Sequence, residues 1–229
     1  MGENIKKMGQ IVDYLAPYPV FQLGPVTITS TVVNTWIVMG VLFVVLFLAT
    51  RRLEQLPRGK QHVVELVVEF VWGIAEGLMG RIGRQFLYLT GTLFVFILSL
   101  NLAWFIPGLR PPTMDLSTTA AFAVTTIFLV QLIHIKKKGI ASYISHFTFP
   151  NPLLAPLNLV EEFVRPVSLS LRLYGSIFGE KMVVTILFML LPFFAPVPAM
   201  LLGALLSTIQ AFVFTLLTTV YLYIHMHGH

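Results

Sequence analysis

Residues 168–180 read SLSLRLYGSIFGE, and they place Arg172 and Glu180 inside an apolar segment that runs from 166 to about 191. No acidic residue lies within a helical turn of Arg172. The chain around this arginine is 56% hydrophobic and 11% charged over 229 residues, with a mean hydropathy of +0.84. An ordinary soluble domain carries about 25% charged residues. The segment therefore reads as a membrane helix and the chain as an integral membrane protein.

Working outward, a hydrocarbon core of roughly 30 Å needs about 20 apolar helical residues. Five segments qualify: 31–50, 86–109, 116–135, 166–191 and 197–224. Only PFFAPVP separates the last two, so they form a hairpin with a short turn. Residues 60–84 are helical in pattern but too polar to span. Glu65, Glu69 and Glu76 share one face, while Val67, Phe70, Val71, Ile74 and Leu78 line another. Such a helix lies along a membrane interface. Residues 150–165, ending in Glu161, Glu162 and Arg165 before Pro166, read as a bent entrance to the fourth span. The expected fold class is an all-α integral membrane protein with five transmembrane helices plus an interfacial amphipathic helix. Residues 1–229 form one membrane domain, without repeats or low-complexity tracts.

The basic residues lie between the apolar segments, so the net charge of +5 speaks of membrane orientation rather than nucleic acid. With the N-terminus outside, Arg51, Arg52, Arg58, Lys60, Arg81, Arg84, Lys136, Lys137, Lys138 and Arg165 are cytoplasmic. Lys6, Lys7 and Arg110 fall on the other side, a bias of 10 against 3. The stretch before the first span holds no compact apolar run ending in small residues, so that span is expected to serve as the targeting signal.

An arginine near the middle of a span costs about 2.5–3.5 kcal/mol on insertion scales. On one helix Arg172 stands about 9 Å from Pro166 and about 12 Å from Glu180, with Gly175, Ser176 and Gly179 on nearly its own face. That stripe lets another helix, or water, approach a fixed positive charge. The alternative is a side chain that snorkels to the surface. Glu180 is read either as an ion-pair partner or as a proton relay, and Lys181 as a snorkelling or lipid-facing residue. In the fifth span Gly203, Ser207, Gln210 and Tyr221 share a narrow arc. The Gln210 amide must find a partner in lipid, whether a charged group or ordinary interhelical glue. Asn101, Asp115, Gln131 and His134 carry weaker signals: Asp115 reads as a loop acid and His134 as interfacial. His225, His227 and His229 alternate in a tail that reads as frayed.

Cysteine is absent, so neither disulfides nor thiolate metal sites enter. No P-loop, Rossmann glycine pattern, HExxH or nucleophile elbow occurs, and no cofactor is implied. The chemistry on offer is electrostatic: a permanent cation beside titratable and amide groups suits a path for protons or small cations.

The runs PVSLSLRLYGSIFGE and STIQAFVFTLLTTVYL, in that order in the last two spans, together with PPTMDLSTTAAFA and the Glu161–Glu162 pair, resemble the a-subunit family of bacterial F-type ATP synthases. The resemblance covers essentially the whole chain. It implies a non-catalytic stator subunit beside a rotating ring of c subunits, with the b subunit of the peripheral stalk as a further partner, in a bacterial inner membrane. Arg172 matches the family's essential arginine, Gln210 would help hold it, and Glu180 and Ser176 would line the outer of two aqueous half-channels. Ser207 and Tyr221 share the Gln210 face, Asp115 would lie near the outer mouth, and Glu161 or Glu162 near the cytoplasmic half-channel. The resemblance also implies that the last two spans form a long, tilted hairpin. Three departures stand out: Ser176 replaces a usual amide, the spacing from Arg172 to Glu180 is one residue shorter than in many members, and Gly203 stands where some members have an ionisable residue. The competing readings are a self-contained secondary transporter or channel, and a scaffold in which Arg172 and Gln210 only lock helices together.

Overall fold

The computed structural model describes residues 18–23, 26–51, 60–106, 108–139, 155–190 and 196–227. Lys6, Lys7, Arg52, Arg58, His229, residues 150–154 and most of the turn within 192–198 lie outside the described residues.

Six helices carry the described chain: α1 (Ser30–Thr50), α2 (Lys60–Met79), α3 (Leu87–Leu102), α4 (Leu116–Lys138), α5 (Ala155–Leu190) and α6 (Pro196–His227). Short 3-10 turns at Gly80–Phe86, Ala103–Phe105 and Pro112–Met114 flank α3 and lead into α4. Among the described residues, four helices are long and apolar enough to cross a membrane: Ser30–Thr50, Gly83–Phe105, Leu116–Lys138 and Pro196–Met226. The chain is an all-helical, multi-pass membrane protein, apart from one antiparallel ribbon that the sequence reading did not anticipate. In it β1 (Pro19–Leu23) pairs with β2 (Val26–Thr29) just before α1.

The expected entrance and fourth span form one helix. α5 runs for 36 residues through Pro166. Proline removes a single backbone bond, and the packed flanks outweigh that loss. Leu169, Leu173 and Ile177, at successive helical turns, form a ridge that is almost fully buried. The ridge meets Ala211 and Phe214 of α6, Phe94 and Ile97 of α3, and Ala123 and Ile127 of α4. Three buried threonine hydroxyls of α6 are satisfied within their own helix. Thr215, Thr218 and Thr219 donate to the carbonyls of Ala211, Phe214 and Thr215 at 2.8, 3.0 and 2.9 Å, as groups remote from water must.

The amphipathic pattern of residues 60–84 survives in α2. Glu65, Glu69 and Glu76 are exposed, whereas Val71, Ala75 and Met79 are buried. The Phe70 ring meets Phe94 of α3 and Phe212 of α6 at 5.6 and 5.8 Å. By contrast α1 faces outward along most of its length, with Ser30, Thr31 and Val38 its buried residues. An outward apolar face of this kind is what lipid solvates.

Candidate functional site

Polar residues gather at two places along α5 and α6, and Arg172 stands between them. The first gathering is built on Glu180 and Lys181. Adjacent helical residues point about 100° apart, and the sequence alone sends them in different directions. Yet both turn into the protein, and Lys181 is 1% exposed where a snorkelling or lipid-facing side chain was expected. Lys181 Nζ forms an ion pair with Glu180 Oε1, and the same nitrogen sits 5.1 Å from the centre of the Trp104 ring, within cation–π range. The other carboxylate oxygen accepts a hydrogen bond from Ser207 Oγ of α6 at 3.0 Å. Asn101 Nδ2 of α3 then donates to the Ser207 carbonyl at 3.1 Å. Gly203 completes the niche: a Cβ there would fall on the Glu180 carboxyl group. The missing side chain of Gly203 leaves the space that Glu180 occupies.

The second gathering is at the Lys-rich end, where the last turns of α4 and α6 meet the first turns of α5. Glu162 Oε1 accepts from Gln131 Nε2 at 2.7 Å and Oε2 from Arg165 Nη1 at 3.1 Å. Arg165 also donates to Glu161 at 2.8 Å and lies 5.0 Å from the Tyr221 ring centre. His225 Nδ1 is 2.8 Å from the Tyr221 carbonyl oxygen and its Nε2 is 3.8 Å from Glu162 Oε2. The His134 ring stands edge-on to that of His225, centroids 5.6 Å apart.

Between the two, Arg172, Gly175, Ser176 and Gly179 are all exposed on the outer face of α5. Among the described residues Arg172 has neither a hydrogen bond nor an ion pair, and Ser176 Oγ donates back to the Leu173 carbonyl at 3.1 Å. Gln210 faces inward, 8% exposed, and its Nε2 lacks a partner among the described residues. No hydrogen bond joins Gln210 to Arg172. Asp115 caps α4: Oδ1 accepts from Ser117 N at 3.1 Å and Oδ2 from Thr31 Oγ1 at 2.9 Å.

The structure thus brings together Glu180 with Ser207, and Glu161, Glu162 and Tyr221 around Arg165. It adds Lys181 and Asn101 at one gathering and Gln131, His134 and His225 at the other, which the sequence reading set aside, together with Trp104, which it did not single out. Spacing carried part of the signal, since His225 follows Tyr221 by one helical turn. Lys181 carried none, because only the packing of α3 and α6 against α5 turns its stem inward. No cluster of His and carboxylate groups able to hold a metal ion occurs among the described residues.

The fold is that of a polytopic helical membrane protein, with buried charged groups at two places along α5 and α6 and an exposed arginine between them. The chain belongs to the ATP synthase A chain family, whose model matches residues 32–223. It is 61% identical over 216 residues to the ATP synthase subunit a of Moorella thermoacetica, covering 94% of this chain and 99% of that relative. The ATP synthase subunit a of Trichlorobacter lovleyi is 43% identical over 197 residues, 84% of this chain and 85% of its own. The ATP synthase subunit a 2 of a Bradyrhizobium species is 37% identical over 202 residues, 88% of this chain and 91% of its own.

Proposed function

We propose that this chain is the stator subunit of the membrane sector of a bacterial rotary ATP synthase, passing protons across the inner membrane against a ring of c subunits. It would make no catalytic contribution of its own. In this reading α5 is a fifth span beside the four apolar helices, and α2 lies along the cytoplasmic interface. The N-terminus is outside, residues 1–229 form one membrane domain, and the b subunit is a neighbour.

The observation that carries the reading is the order of charges along α5. Glu162 and Glu180 are separated by about 27 Å of helix, with Arg172 about 15 Å from the first and about 12 Å from the second. Protons would reach the ring through an outer half-channel lined by Glu180, Ser176 and Ser207, with Asp115 near its mouth. They would leave through a cytoplasmic one lined by Glu161, Glu162 and Tyr221. Arg172, on a stripe of small residues that admits a partner helix, favours the ionised form of the ring carboxyl group, so that the protonated acid releases its proton as it approaches and the resulting carboxylate pairs with the guanidinium. Gln210 would help hold the arginine in place. Guanidinium offers five donors yet cannot deliver a proton, so it divides the two half-channels. The division matters because a potential of about 100 mV is worth roughly 2.3 kcal/mol per charge that crosses.

The test is proton flux in vesicles carrying Arg172→Ala, with assembly checked by co-purification of the ring. The expected result is loss of ATP-driven acidification, and a passive leak once the soluble catalytic part is removed. Coupled pumping in the assembled variant would sink the proposal.

A further inference from the structure

The Lys-rich gathering contains two imidazoles that the half-channel reading leaves without a task. His134 and His225 are each 1% exposed, although each sits within a few residues of the end of its helix. Their placement fixes one chemical detail. A backbone carbonyl only accepts, so the 2.8 Å contact between His225 Nδ1 and the Tyr221 oxygen requires the proton on Nδ1. In the neutral ring the lone pair is therefore on Nε2, the atom 3.8 Å from Glu162 Oε2.

We infer that His225 is the proton-exchanging partner of Glu162, with Nε2 the atom that takes up a proton from the Lys-rich side and hands it to Oε2. The step balances without any other reactant. A proton arriving on Nε2 gives an imidazolium. Its transfer to Oε2 gives the neutral carboxylic acid and returns His225 to its starting tautomer, the Nδ1 proton never leaving the Tyr221 carbonyl. The groups facing the pair define its charge. Arg165 of α5 shares Oε2 and ties in Glu161, Gln131 and His134 approach from α4, and Tyr221 from α6. Two protonated imidazoles with centroids 5.6 Å apart repel each other, so an extra proton on His225 disfavours one on His134. The gap between Nε2 and Oε2 is closed by a small rotation of either side chain or by one water, within the reach expected of a proton relay.

The inference rests on the proposal that Glu162 lies on the cytoplasmic proton path, and the experiment separates the two. ATP-driven pumping is measured in inverted vesicles holding the whole complex, as a function of pH at the exposed Lys-rich face. Each rate is divided by the hydrolysis rate of the detached catalytic part at the same pH. In the parent the normalised rate falls as pH rises through the histidine range, about pH 5 to 8, because Nε2 is less often loaded. His225→Gln keeps a donor for the Tyr221 carbonyl but cannot carry a proton, so the assembled variant should pump several-fold more slowly and lose that pH dependence.

A parental pH profile in His225→Gln, with Glu162→Gln slowed, overturns the inference and leaves the path intact. Parental rates and profile in Glu162→Gln overturn both. If His225→Gln does not assemble with the ring, Glu162→Gln decides. A flattened profile there supports the pair, and a parental one removes it.

Discussion

Lys181 is 1% exposed, and its ion-pair partner is the residue next to it. Removing one member of a buried pair leaves the other unpaired, at a cost of about 3–5 kcal/mol. Lys181→Met is therefore expected to lower the thermal midpoint of the detergent-solubilised subunit markedly. The double variant Lys181→Met with Glu180→Gln should recover most of that loss, since two neutral groups leave no orphan charge. Equal midpoints for the single and double variants would show that the pair is not what holds this niche. Gly203 belongs to the same constraint, and Gly203→Ala should displace the Glu180 carboxyl group from its place beside Ser207. On the proposed function, the expected readout is slower proton uptake through the proposed outer half-channel with the ring still co-purifying. The sequence pointed to Glu180 and Ser207 but not to Lys181, whose direction depends on neighbours far back along the chain, at the end of α3.

At the scale of the element, the entrance to α4 joins three parts of the chain through one side chain. Asp115 caps the helix through Ser117 N and receives Thr31 Oγ1 from the start of α1. Nearby, Asn34 Nδ2 donates to the Arg110 carbonyl at 3.1 Å. Loss of a cap costs about 0.5–2 kcal/mol, and loss of the tie to Thr31 about 1 kcal/mol more. Asp115→Ala should therefore destabilise the subunit by about 2 kcal/mol in a denaturation experiment, while Asp115→Asn, which still accepts at the cap, should lose less. If the two variants are equally stable, the cap is not the source. Sequence reading makes Asp115 a loop acid and misses the cap; its bond to α1 is out of reach as well, because the two residues are 84 positions apart.

At the scale of the whole molecule, the outer face of α5 separates what the fold needs from what a partner needs. A Cβ added at Gly175 or Gly179 meets nothing within 4 Å in this chain, whereas one at Gly203 collides. Gly179→Leu is therefore expected to leave the isolated subunit as stable as the parent while weakening co-purification of the ring and slowing pumping. Unchanged pumping would mean that nothing docks closely on this stripe.

The sequence by itself determined the membrane class, most of the helical segments and the amphipathic α2. Each follows from local composition, length or period, which the chain carries without knowledge of its neighbours. The tertiary structure decided which polar groups meet. It merged the expected entrance and fourth span into one helix, buried Lys181, and drew His225 to Glu162 and His134 to His225. These outcomes depend on side chains from distant helices competing for the same space. In an apolar interior a polar group goes where a partner is, and only the packed bundle states where that is.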